Sequence, residues 1–111
     1  MLPKSKRLTT AEFDAVMEKG KTAHSPLFLV RWTSSEKQTA FSAVSGKKVV
    51  STAAGRNYMR RKIYEALRKL GLTSVSGVHA IIFAKSPAVE ADQEVLANDL
   101  KSIFVKAGLL R

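Results

Sequence analysis

The sequence predicts an α+β domain in which helices pack in a layer against a small sheet. Two observations carry that expectation. The apolar spacing alternates between helical and strand-like periods in the order helix, several strands, helix, strand, helix. The 111 residues also contain no internal repeat, low-complexity tract or interdomain linker, so a single domain over 1–111 is expected. With 45% apolar and 25% charged residues the composition is that of an ordinary folding domain.

Thr9 followed by Glu12 has the form of a capping box, and Phe13, Val16 and Met17 recur at helical spacing before Gly20 supplies a stop. A first helix over about residues 10 to 19 follows. The run "SPLFLVRWT" suits a strand with Leu27, Leu29 and Arg31 on one face and Phe28, Val30 and Trp32 on the other. "QTAFSAVS" reads as a second extended run and "KKVVST" as a short third. Residues 56 to 70 form a helix ended by Gly71, "GLTSVSG" is a flexible connection, and "VHAIIFAKS", nearly all apolar at its centre, is the most strand-like segment. Pro87 breaks the chain. A last helix from about Glu90 to Lys106 places Val95, Leu96, Leu100, Ile103 and Phe104 on one stripe and stops at Gly108.

Nineteen Lys and Arg against nine Asp and Glu give a formal net charge of +10, which disfavours the compact state unless a polyanion neutralises it. There is no run of about 18 apolar residues, and "MLPKSKRLTTAEF" lacks the apolar centre of a signal peptide, so nucleic acid is preferred to a membrane as the acidic partner. The absence of cysteine excludes disulfides, thiol nucleophiles and cysteine-held zinc, and is compatible with a reducing cytoplasm. His24 and His79 lie far apart and are expected to be structural. The acids Glu12, Asp14 and Glu18, and Glu90, Asp92, Glu94 and Asp99, have the spacing of solvated helix faces. No constellation for protein-based catalysis is present.

The segment "GRNYMRRKIYEALRKL" carries six cations and one acid. On a helix, Met59, Ile63, Ala66, Leu67 and Leu70 share the packing face, while Asn57, Arg60, Arg61, Tyr64 and Arg68 fall on one flank and Lys62 and Lys69 on the other. A merely solvated helix would mix signs for i, i+4 pairs, yet Glu65 is the only acid, with Lys69 as its expected partner. Arg56, Arg60 and Arg61 also fall near the helix start, where the macrodipole disfavours cations, so the sequence anticipates phosphates there. Arginine's planar fork matches phosphate oxygens two at a time. With no base-reading motif evident, readout of nucleic-acid shape is expected. Composition does not choose between RNA and DNA.

The string Arg56-Asn57-Tyr58-Met59-Arg60-Arg61, preceded by "GKK" and "TAAG", resembles the Arg-Asn-x-x-Lys/Arg-Arg signature of the bacterial ribonuclease P protein family. "KSKRLTTAEFDAVMEKGK" resembles the family's opening basic segment and helix, and "VHAIIFAKSP" its last strand before a C-terminal helix, so the likeness spans nearly the whole chain. The resemblance implies a two-layer α-β sandwich of order αβββαβα, ribosomal-protein S5 domain 2-like with a left-handed βαβ crossover, an exception to the usual right-handed rule. It also implies an RNA-binding subunit in the cytoplasm. The companion RNA carries the metal-dependent hydrolysis that removes the 5′ leader of precursor tRNA, and the protein holds that leader. The implied partners are the ribonuclease P RNA and the precursor-tRNA leader, with no membrane and no DNA. Mg2+ is implied for the holoenzyme, bound mainly by RNA, with no protein ligand assigned.

By the same resemblance, Arg56, Asn57, Arg60 and Arg61 contact the catalytic RNA, with Lys47 and Lys48 as a second basic site. Phe13, Met17 and Arg31 are the implied wall of a leader groove between the first helix and the sheet. Family members often carry aromatic residues at the positions of Met17 and Arg31, so stacking there is reduced. The family pattern usually continues with a third arginine where this chain has Tyr64, and Arg68 on the same flank is the expected substitute. The family's glycine between the lysine pair and the signature is absent, and "VVSTAAG" is one residue longer than usual. Two other classes compete: a general RNA-binding or ribosome-associated protein of the same fold, and a stand-alone nuclease, which the thin catalytic inventory disfavours.

Overall fold

The computed structural model describes residues 7–36, 38–71 and 77–109. Helix α1 spans Thr10–Lys19 and strand β1 Lys21–His24, followed by β2 at Phe28–Ser34 and β3 at Ala40–Val44. Helix α2 spans Ala53–Lys69, β4 Val78–Ala84 and α3 Gln93–Lys106, with a 3-10 turn at Ser86–Val89 where Pro87 interrupts the chain. The order αβββαβα is the one expected.

The strands form one sheet in the order β1-β2-β4-β3, in which β3 and β4 run parallel and the other pairs antiparallel. The parallel pair needs a crossover, and α2 supplies it. Because strand side chains alternate, Phe28, Val30, Ala80, Ile82, Phe41 and Ala43 point to one face, where they join Met59, Ile63 and Leu67 of α2 and Leu96, Leu100, Ile103 and Phe104 of α3 in the main core. The opposite face carries Leu29, Arg31, Ile81 and Phe83. Helix α1 crosses part of it and buries Val16, and Ile81 is also buried there.

The capping box at Thr9 is formed in both directions: Glu12 N–H donates to the Thr9 hydroxyl, and the Glu12 carboxylate accepts from Thr9 N–H. That fixes the start of α1 where the sequence placed it. Two expectations need correction. "KKVVST" is not a strand, because the N–H groups of Val49 and Val50 both turn back to the Gly46 carbonyl at 3.0 Å. The remaining strand is instead β1, a four-residue edge strand paired with Leu29, Val30, Arg31 and Trp32 of β2. Val95 lies off the buried stripe of α3 and is 50% exposed, because Asp92 caps the helix and sets a phase that turns Leu96 and Leu100 inward. Most of "GLTSVSG" lies outside the described residues.

Tyr64 departs from its expected flank position in an informative way. It is buried, and its hydroxyl accepts the backbone N–H of Ala43 on the edge strand β3 at 3.1 Å. Leu8 N–H in turn donates to the Phe41 carbonyl, so two groups that an edge strand leaves open are satisfied by tertiary partners. Tyr64→Phe should therefore lower stability by about 1–2 kcal/mol, since it strands a buried donor while keeping the ring. Urea midpoints at unchanged slope would measure it, and an unshifted midpoint would count against the bond.

Candidate nucleic-acid interface

Helix α2 begins at Ala53, three residues earlier than the sequence suggested, with Thr52 as its cap accepting Gly55 N–H at 3.0 Å. Arg56 therefore sits at the fourth helical position, and Arg60 and Arg61 lie beyond the first turn. The Arg56 guanidinium donates to the carbonyls of Val50 and Ser51 at 3.0 and 3.1 Å, which ties the preceding loop to the helix. Gly55 belongs to the same joint. A Cβ there would lie 2.5 Å from Val50 Cγ1 and 2.8 Å from the Thr52 hydroxyl, so only glycine lets Val50 close down on the helix. The loop so held presents Lys47 and Lys48 to solvent.

Along the exposed side of α2, Asn57 and Arg61 are exposed and Arg60 is half-buried. Arg60 donates to the Asn57 side-chain carbonyl, an i, i+3 bond that orients its fork. Glu65 pairs with Arg68 rather than with Lys69. The Arg68 hydrogen bond, reinforced by its charge, holds the Glu65 carboxyl below the usual carboxylate range. The one acid of the helix is thus taken by Arg68, and among the described residues no acid forms a salt bridge with Arg60 or Arg61. These two guanidiniums, with Asn57 and the Lys47–Lys48 turn, make a surface whose positive charge is uncompensated.

A second feature lies on the opposite face of the sheet. Beside α1, Met17, Thr22, Leu29, Arg31, Phe83 and Lys85 line an open groove of about 460 Å³. Arg31 Nε donates to the Val16 and Met17 carbonyls at 3.0 and 2.9 Å, and its Nη1 to the Thr22 hydroxyl at 2.9 Å. It locks the last turn of α1 to the sheet and still forms part of the wall. Lys85 is anchored on the Ser25 carbonyl at 2.8 Å. Met17 is 43% exposed, so it is groove surface rather than core, whereas Phe13 is half-buried and does not line the groove. Thr22, Leu29, Phe83 and Lys85 were not singled out from sequence. The sequence places Leu29 on the same strand face as Arg31, and that shared face is the signal that it belongs to the groove.

No helix among the described residues is long and apolar enough to cross a membrane. The carboxylates of Glu12, Glu65, Asp92 and Asp99 are engaged in caps, in the Arg68 pair or in holding the β1–β2 turn through Ser25 and Leu27. The described residues contain no group of three or more potential ligands placed to hold a metal ion.

Comparison with known proteins gives a consistent result. The family model described as Ribonuclease P matches residues 2–108. The ribonuclease P protein component of Bacillus cereus strain B4264 is 31% identical over 101 residues, covering 90% of this chain and 88% of that protein. The corresponding protein of Xanthomonas campestris pv. campestris strain B100 is 28% identical over 109 residues, covering 97% of this chain and 73% of its own length. Among solved structures, the Staphylococcus aureus RNase P protein superposes with a TM-score of 0.83 at 22% identity, over 97% of this chain and all of that one. The Thermotoga maritima protein does so with a TM-score of 0.77 at 18% identity, over 90% of this chain and 96% of that one. The structural likenesses speak to the fold.

Proposed function

This chain belongs to the ribonuclease P protein family, and from that premise we propose how its two surfaces divide the work. It is the RNA-binding protein subunit of an endoribonuclease that matures the 5′ end of tRNA, and its partner is the ribonuclease P RNA, which carries the hydrolysis. Asn57, Arg60 and Arg61, with Lys47 and Lys48, bind phosphates of that RNA. Arg56 acts chiefly by holding the lysine loop against α2. Arg68 contributes at the edge of the surface, its charge shared with Glu65. The observation that carries this reading is the pair of guanidiniums on α2 with no acid partner among the described residues, beside a loop fixed by Arg56 and Gly55.

The precursor-tRNA leader lies in the α1 groove against Met17, Leu29, Arg31 and Phe83, with Lys85 near its backbone. A largely apolar channel with anchored cations at its wall suits a single strand held without sequence readout. Mg2+ serves the holoenzyme, held mainly by the RNA. The protein works where precursor tRNA is made, in the cytoplasm.

The test is 5′-leader cleavage of a precursor tRNA by a bacterial ribonuclease P RNA at low magnesium, with and without the protein. Arg60→Ala with Arg61→Ala should abolish most of the stimulation and weaken RNA binding about tenfold or more, since charge-assisted contacts are lost. The slope of log affinity against log salt should fall by about two, one for each phosphate contact. Unchanged affinity and slope would remove α2 from the interface.

A further inference from the structure

The flank of α2 that faces α3 holds an aromatic side chain that neither the core nor the phosphate-binding surface uses. Tyr58 is 58% exposed, more than any other large hydrophobic side chain among the described residues. It shares one helix ridge with Arg61 and Lys62, at i+3 and i+4. Lys62 is fixed from two sides: its ammonium lies 5.6 Å from the centroid of the Tyr58 ring and donates to the Ala91 carbonyl at 2.8 Å, while Gln93 donates to the Lys62 carbonyl at 3.0 Å. Tyr58, Arg61, Lys62, Glu65 and Gln93 line an open depression of about 400 Å³, within the range of small-ligand sites.

From this geometry we propose that Tyr58 is a stacking platform for one unpaired nucleobase of the ribonuclease P RNA, with Arg61 on the adjoining phosphate. The inference rests on the assignment of α2 to that RNA. An aromatic ring beside cations is the arrangement that holds a splayed-out base, because every base offers a π-face and the neighbouring phosphate meets the cation. The charge of the depression fits: its only acid, Glu65, is paired with Arg68, leaving Arg61 and Lys62 to set the sign toward an incoming polyanion. Its position selects the RNA subunit rather than the leader, since α2 and the α1 groove lie on opposite faces of the sheet. The Gln93 side-chain carbonyl at the rim is available to a base amino group, although the stacking itself does not depend on base identity.

The experiment measures binding of the full-length protein to ribonuclease P RNA at several salt concentrations for Tyr58→Ala, Tyr58→Leu, Tyr58→Phe and Arg60→Ala, with thermal midpoints as a control. Tyr58→Ala and Tyr58→Leu should each weaken binding about tenfold, the scale of one lost base stack, with the salt slope unchanged. Tyr58→Phe should bind as the native protein does. Native affinity in Tyr58→Leu would show that the ring acts only as apolar bulk and would overturn the proposal. Native affinity in Tyr58→Ala with weakened binding in Arg60→Ala would also overturn it while leaving the α2 interface intact. Native affinity in both Tyr58→Ala and Arg60→Ala would overturn that interface as well.

Discussion

Gly20→Ala should lower stability by about 2–3 kcal/mol or more and, in the folded fraction, impair the leader groove more than RNA-subunit binding. Gly20 ends α1, with its N–H donating to the Val16 carbonyl at 2.8 Å. A Cβ there would stand 2.4 Å from that carbonyl oxygen, 2.8 Å from Arg31 Cγ and 3.2 Å from the Trp32 carbonyl oxygen. Two of these three neighbours are backbone, so no rotamer change relieves the clash. The joint between α1 and β2 has to open. Opening it pulls Val16 and Met17 away from the Arg31 guanidinium, which is the bond that sets the groove wall. For a domain of this size each kcal/mol lowers the midpoint by roughly 3–6 °C, so melting curves would detect the loss readily. Paired measurements of leader affinity and of ribonuclease P RNA affinity would show whether the damage stays on the α1 side. A variant that melts with the native protein would contradict the packing described here.

Phe104→Ala should have a comparable or larger effect on stability and none confined to one surface. Phe104 is only 2% exposed and meets Phe41 edge to face, with ring centroids 6.2 Å apart and planes at 88°. The pair ties α3 to the edge strand β3, which has only β4 as a strand neighbour within the sheet. Truncating a buried phenylalanine removes about 3–5 kcal/mol through lost transfer energy and a residual cavity. Set against a total of about 5–15 kcal/mol for a typical domain, that is a large share. Chemical denaturation would measure it, and a loss below about 1 kcal/mol would mean that the site collapses around the smaller side chain.

The sequence was most legible where structure is local. The capping box at Thr9 fixed α1, because both of its bonds join residues three apart, and the alternation in "FLVRWT" separated Leu29 and Arg31 from Phe28 and Val30, although Leu27, which precedes β2, joins the core with Phe28 instead of following Leu29. It was least legible where a neighbour decides. Strand β1 is short and polar, with a single buried position at Ala23, so nothing in "KTAH" distinguishes it from a loop until β2 lies alongside. Val49 and Val50 have strand propensity, but Gly46 folds them into a turn. The start of α2 was hidden by Gly55, which lowers local helix propensity and is kept for the contact with Val50. The same holds for the site. The density of arginine on α2 was visible in the sequence, but the diversion of Arg56 to loop carbonyls, of Arg68 to Glu65 and of Tyr64 to Ala43 depends on what lies within reach in the folded chain.

The place of β4 between β2 and β3 bears on how the chain is made. Its pairings join Phe28 to Ala84 and Ala40 to His79, so the sheet closes only through contacts between residues about 40 to 55 positions apart. During synthesis from the N-terminus, β1 and β2 can form their hairpin and α2 can coil, but β3 has no strand to lie against until residues 78–84 have left the ribosome. Both faces of the sheet wait on that one strand. A nascent chain halted before Val78 would carry the arginines of α2 on an unanchored helix, able to attract RNA by charge before it has the shape to choose one.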